Sequence, residues 1–124
     1  MIEEYKLLFD ALDELKERAK KGWVVIVEGM KDVESLRNLG VEGDIIIFSG
    51  FAATADVVGR RNSIILTDYD SKGMDIERGL VRALQSYGVI PDTEIKRKIF
   101  CSIKKDISKV EELFSFVSKI TNSK

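Results

Sequence analysis

The segment Ser63-Ile-Ile-Leu-Thr-Asp-Tyr-Asp-Ser-Lys-Gly73 restricts the folds open to this chain more than any other. Ile64, Ile65 and Leu66 run without polar alternation, the pattern of a parallel strand covered on both faces. The run ends abruptly at two carboxylates, Asp68 and Asp70, followed by a glycine turn. Open parallel sheets carry their ligands just beyond the carboxyl ends of their strands, so Asp68 and Asp70 stand where a ligand is expected. The pattern occurs once more upstream, where Trp23-Val-Val-Ile-Val27 is equally uninterrupted and ends at Glu28-Gly29. Two buried strands thus present acids at equivalent positions.

Around these strands the chain alternates. Tyr5, Leu8, Phe9, Leu12, Leu15 and Ala19 recur at helical spacing and predict an amphipathic helix over 2–20, stopped by Gly22. Asp32, Val33, Leu36 and Leu39 predict a short helix closed by Gly40. A second strand covers 45–48 and a weaker helical stretch runs to Val58, before the strand at 63–67. The next helix, about 73–87, is capped by Ser71 or the aspartates and ends at Gly88. Val89 and Ile90 read as a short fourth strand. Over 93–105 the spacing of Ile95, Ile99 and Ile103 favours a helix, although Ile99-Phe-Cys101 also has strand composition. Ser108-Lys-Val-Glu111 matches a capping box that opens a final helix. The expected fold is a compact α/β, Rossmann-like sandwich: a central, mainly parallel four-stranded sheet flanked by helices, in a single domain over 1–124.

Composition narrows the chemistry. The chain of 124 residues contains no histidine and one cysteine, so zinc lacks its usual ligands and every histidine-dependent triad is excluded. A catalytic metal would be oxygen-bound. With 44% apolar and 33% charged residues, and no apolar run near the roughly 20 residues of a membrane span, a cytoplasmic protein without membrane contact is expected. The net charge of −1 conceals an asymmetry: residues 23–90 carry ten acids against seven basic residues, and from Pro91 onward eight Lys or Arg face five acids.

Asp68 and Asp70, at i and i+2 of an extended strand end, project to one side, with Glu28 arriving from a neighbouring strand. Three converging carboxylates repel unless cations intervene. Mg²⁺ suits such a site, and Mn²⁺ is possible, because magnesium takes one or two carboxylates and completes its shell with water and phosphate oxygens. An EF-hand loop beginning at Asp68 fails, since Lys72 and Gly79 occupy ligand positions. A haloacid-dehalogenase-type phosphatase places its Asp-x-Asp near the N-terminus, ahead of a longer core.

Taken together, Glu28-Gly-Met-Lys-Asp32 and Asp68-Tyr-Asp70-Ser-Lys-Gly73, each after an apolar strand and about 40 residues apart, resemble the Toprim domain of topoisomerases, bacterial-type primases, old-family nucleases and the 5S ribosomal RNA maturation nuclease. The match spans about 23–90. Helix 2–20 and the helices over 93–122 pack onto that core, giving a length like that of small stand-alone Toprim proteins of archaea and bacteria. The resemblance implies that Glu28 is a general acid or base that can touch a metal, and that Asp68 and Asp70 coordinate magnesium. It also implies that Gly29 and Gly73 are turn glycines and that Asp32 closes the first motif. Met30 precedes Lys31 where the maturation nuclease often has lysine directly, which leaves the substrate open. A topoisomerase or primase would need further domains.

Strand alternation turns Tyr69 away from the aspartates and toward packing. Lys31, Lys72, Arg60 and Arg61 are candidates for phosphate contact, together with Arg37 and Arg78, and the cluster Lys96, Arg97 and Lys98 with Lys104-Lys105 could extend a nucleic-acid track. The expected activity is magnesium-dependent phosphodiester cleavage or transfer on nucleic acid, RNA favoured over DNA, with a partner protein or homodimer assisting substrate grip. The alternative is a non-catalytic RNA-binding or ribonucleoprotein-associated module.

Overall fold

The computed structural model describes residues 2–122. A 3₁₀ turn at Ile2–Tyr5 leads into α1 (Lys6–Lys20), followed by β1 (Val24–Val27), α2 (Met30–Asn38), β2 (Ile45–Ile47), α3 (Phe51–Val58), β3 (Ser63–Ile65), α4 (Ser71–Gln85) and α5 (Glu94–Phe100). A second 3₁₀ turn, Val110–Glu112, opens α6 (Leu113–Asn122). The three strands form one parallel sheet in the order β2-β1-β3, with Val25 opposite Ile45 on one side and Ile64 on the other.

The uninterrupted apolar runs are explained by two cores. Val25, Val27, Ile64 and Leu66 face one way, against Leu8, Leu12 and Leu15 of α1, Leu36 of α2, and Ile95, Ile99 and Phe100 of α5. Val24, Ile26 and Ile65 face the other, against Ala55 and Val58 of α3 and Ile76, Leu80 and Leu84 of α4. Alternate residues of β1 and β3 thus enter opposite layers, and each buried aliphatic side chain contributes about 1.5–3 kcal/mol relative to exposure. Ser63, at the amino end of β3, is the one polar residue on β1 and β3, and it too is buried. The chain runs from β1 through α2 to β2 at one edge, then returns through α3 on the opposite face to β3 at the other edge. The carboxyl ends of β1 and β3 therefore flank the point where the winding reverses.

The sheet has three strands among the described residues, not four. Where Val89 and Ile90 were expected to pair, Ile90 is 84% exposed, and one isolated bridge joins Ile64 to Asp92. Pro91 cannot donate to a ladder, and Asp92 turns at once to another role, its Oδ1 accepting from Glu94 N and Ile95 N at 2.9 Å each. A side chain that caps α5 ends the strand at one residue. Helix α5 is itself shorter than the predicted 93–105, ending at Phe100.

The predicted capping box at Ser108 does not form either. Val110 N donates instead to Asp68 Oδ1 at 2.8 Å, so the C-terminal 3₁₀ turn is capped from the tip of β3, 42 residues away in sequence.

Candidate acidic site at the strand tips

Each acid singled out from the sequence is held by backbone N–H groups. Asp32 Oδ2 accepts from Gly29 N at 3.0 Å and Glu28 N at 3.2 Å, fixing the turn after β1 and the start of α2. Glu28 Oε2 accepts from Asp68 N at 2.9 Å, which ties the tip of β1 to that of β3. Asp70 caps α4, its Oδ1 accepting from Gly73 N at 2.7 Å. With Asp68 receiving Val110 N, the loop Thr67–Gly73 is joined both to the tip of β1 and to the C-terminal turn.

Gly73 acts by close approach. Its backbone is ordinary for a helix, but a Cβ there would lie 1.9 Å from the Asp68 carbonyl oxygen. Only a residue without a side chain lets α4 begin this near the tip of β3. The turn-glycine role expected of Gly73 is thus replaced by a packing role.

Glu28, Asp68 and Asp70 each give one carboxylate oxygen to a backbone donor, and the second oxygens of the two aspartates face one cation. Lys109 Nζ lies 3.4 Å from Asp70 Oδ2 and 4.0 Å from Asp68 Oδ2. Its hydrogen bond to Asp70, and then the charges of Asp68 and Asp70, raise its pKa. Asp68 is the most perturbed acid. Burial pushes its carboxyl up from 3.8 to about 6, opposed by the Val110 N–H and reinforced by the negative charge of Glu28. Burial likewise raises Asp32 above the ordinary carboxylate range. Among the described residues, no three His, Cys, Asp or Glu side chains form a ready metal cage.

Beneath the loop lies a buried ion pair. Lys96 Nζ is 2.6 Å from Glu77 Oε1, with side-chain exposures of 2% and 13%. The same ammonium donates to Thr67 Oγ1 at 3.0 Å, and Thr67 Oγ1 donates to Gly73 O at 2.7 Å. Lys96 therefore supports the acidic loop from inside and is withdrawn from any surface nucleic-acid track. The spacing did contain this signal: Lys96 falls three, four and seven residues before Ile99, Phe100 and Ile103, on the buried face.

The remaining basic candidates scatter. Arg61 pairs with Asp44 at 2.8 Å and donates to Val57 O and Val58 O. It therefore closes α3 at the amino ends of the strands, with Arg60 next to it in sequence, at the end of the sheet opposite the acids. Arg97 pairs with Glu94, and Lys98 lies 3.7 Å from Glu14. Lys31 lines a groove with Glu34, Glu111 and Lys119. Lys72 is exposed in the first turn of α4 and, among the described residues, forms no ion pair. Tyr69 packs as predicted, its ring stacked on Phe100 with centroids 5.5 Å apart. Lys109 was not singled out from the sequence, and nothing in its local pattern separates it from other surface lysines.

A parallel sheet layered between helices, with acids at the reversal point of its winding, places the chain among the doubly wound α/β proteins. Comparison with known proteins then gives its family. The chain is 60% identical to a UPF0292 protein of Archaeoglobus fulgidus over 120 residues, 97% of each chain. It is 34% identical to one of Methanocaldococcus jannaschii over 94% of each, and 40% identical to one of Thermococcus sibiricus over 90% and 89%. It belongs to the UPF0292 family. No family model matches the chain. A solved structure of an Aquifex aeolicus protein superposes with a TM-score of 0.70 at 28% identity, covering 85% of this chain and 96% of that one. Among the described residues, no helix is long and apolar enough to cross a membrane.

Proposed function

We propose that this is a Toprim-fold protein of the cytoplasm that acts on nucleic acid with Mg²⁺ or Mn²⁺, by phosphodiester cleavage or transfer, with RNA the favoured substrate. The observation that carries the reading is the placement of Glu28 and Asp68 on adjacent strand tips at the reversal point, hydrogen-bonded to each other, with Asp70 two residues on.

The donor set fits the metal. It consists of carboxylate oxygens alone, the ligands of a hard cation, and a lysine ammonium already stands between two of them. Asp68 and Asp70 would hold the ion through their second oxygens, with Glu28 beside them. When bound, such an ion neutralises charge on phosphate and polarises a phosphoryl oxygen. The chain's own contributions are distinct. Asp70 and Gly73 fix the loop to α4, Thr67 and Lys96 brace it from below, and Glu28 turns one oxygen to Asp68 N while the other remains available to exchange a proton with substrate or water. Lys72, exposed at the start of α4, is positioned to meet a phosphate. The near-neutral charge makes a partner protein or a second copy the source of additional basic surface.

A non-catalytic RNA-binding module is the second reading. The observation favouring it is that Glu28, Asp68 and Asp70 all have structural duties as backbone acceptors.

Glu28→Gln separates the two. Glutamine keeps the acceptor for Asp68 N and removes the proton-exchanging group, and loss of general acid–base help costs about 10²- to 10⁴-fold in rate. Nucleic-acid affinity and single-turnover cleavage are measured side by side at fixed salt and magnesium, on structured RNA, single-stranded DNA and duplex DNA. Retained binding with lost cleavage is the expected result. Wild-type protein that binds yet cleaves none of them favours the module, and equal cleavage by both proteins removes Glu28 from the chemistry.

A further inference from the structure

The acidic loop already faces one cation, and that cation is part of the chain. Lys109 Nζ lies 3.4 Å from Asp70 Oδ2 and 4.0 Å from Asp68 Oδ2, facing the oxygens that the backbone donors leave free. Both neighbours of Lys109 are fastened to the same loop. Ser108 O accepts from Tyr69 N at 2.7 Å, and Val110 N donates to Asp68 Oδ1 at 2.8 Å. A side chain pinned on either side is confined near its counter-charges, which gives it a high effective concentration there.

We propose that Lys109 is the built-in counter-ion of this loop: its ammonium occupies the cation position between Asp68 and Asp70 and yields it to a divalent metal ion, so that Lys109 sets the metal affinity of the site. The inference rests on the reading that these acids take magnesium or manganese. The geometry makes the exchange local. The backbone bonds on either side of Lys109 use the Ser108 carbonyl and Asp68 Oδ1, whereas the ammonium uses the opposite oxygens. Lys109 can therefore swing out through its own flexible stem while the C-terminal turn stays docked, and half of its side chain is already exposed to solvent.

The test measures metal binding. Mn²⁺ alone, followed by electron paramagnetic resonance, and Mg²⁺ alone, followed by calorimetry, are titrated into wild type, Lys109→Met, Lys109→Arg and Lys105→Met at one pH and ionic strength. Lys109→Met is expected to bind metal about five- to tenfold more tightly, because a competing and repelling charge at close range is gone. Lys109→Arg keeps the charge and should stay within about twofold of wild type on the same grounds. Lys105→Met, an exposed charge elsewhere on the segment, controls for net charge and should leave affinity unchanged. In wild type, Mg²⁺ should also shift the Lys109 side-chain ammonium resonance, a readout that needs no variant to fold. Metal binding by wild type with equal or weaker binding by Lys109→Met, or with an unmoved ammonium resonance, overturns the counter-ion role and leaves the proposed metal site standing. Equal tightening by Lys105→Met reduces the effect to net charge and overturns it as well. Absence of binding to wild type and Lys109→Met alike defeats both readings.

Discussion

Replacing Asp68 by asparagine should make the metal-free protein more stable at neutral pH, and the size of the gain should follow pH in one direction. Burial holds the Asp68 carboxyl at about 6 in place of 3.8, so the folded state favours its protonated form. The favourable contribution is complete below about pH 3.8 and is lost as pH rises through about 6. At full strength that displacement corresponds to about 3 kcal/mol. Because the second oxygen faces Lys109 and solvent, about half of it, ~1.5 kcal/mol, should appear in stability. Asparagine keeps an oxygen to accept from Val110 N, so the cap on the C-terminal turn survives while the charge does not. The assay is urea unfolding of wild type and Asp68→Asn in chelator from pH 4 to 8. The variant should match or trail wild type near pH 4.5 and exceed it by about 1.5 kcal/mol at pH 7.5, equivalent to about 5 °C in melting temperature. Contributions from Asp32 and the other acids largely cancel in the difference. A stability difference independent of pH, or one that shrinks as pH rises, refutes the claim that desolvation dominates at Asp68.

Gly73→Ala should lower stability by about 3 kcal/mol or more, since its Cβ would meet the Asp68 carbonyl at 1.9 Å and the start of α4 would have to move; denaturant titration checks this, and a neutral substitution would show that α4 is free to shift. Lys96→Met should cost about 3 kcal/mol by leaving Glu77 buried without its partner, whereas Lys96→Met with Glu77→Leu should recover to within about 1 kcal/mol of wild type. A single variant as stable as the double would mean that the pair contributes nothing to the loop above it.

The strand tips were legible because burial on both faces leaves a written trace: nothing polar interrupts β1 or the run from Ile64 to Leu66, and the residue where the apolar run stops is where the chain leaves the sheet. The fourth strand was misread because Val89 and Ile90 have strand composition while the constraint lies next door, in a proline without an N–H and an aspartate whose side chain starts a helix. Lys96 was assigned to the surface by its charge although its spacing put it with Ile99, Phe100 and Ile103. Ser108 and Glu111 formed a correct local cap pattern, yet a carboxylate already fixed at the tip of β3 supplied the acceptor for Val110. Lys109 had no local signature at all, since its role comes from acids 39 and 41 positions earlier.

The bond from Val110 N to Asp68 Oδ1 also has a meaning in time. Those residues are 42 positions apart, and chains are synthesised at about 5–20 residues per second, so roughly 2–8 s separate the making of the acidic loop from the making of the segment that closes over it. During that interval β1, β3 and α4 can pack, but Glu28, Asp68 and Asp70 lack both the Val110 donor and the Lys109 charge. The unfinished protein would carry its most repulsive surface uncovered, and a divalent ion present at that moment would meet an acid cluster with no resident competitor.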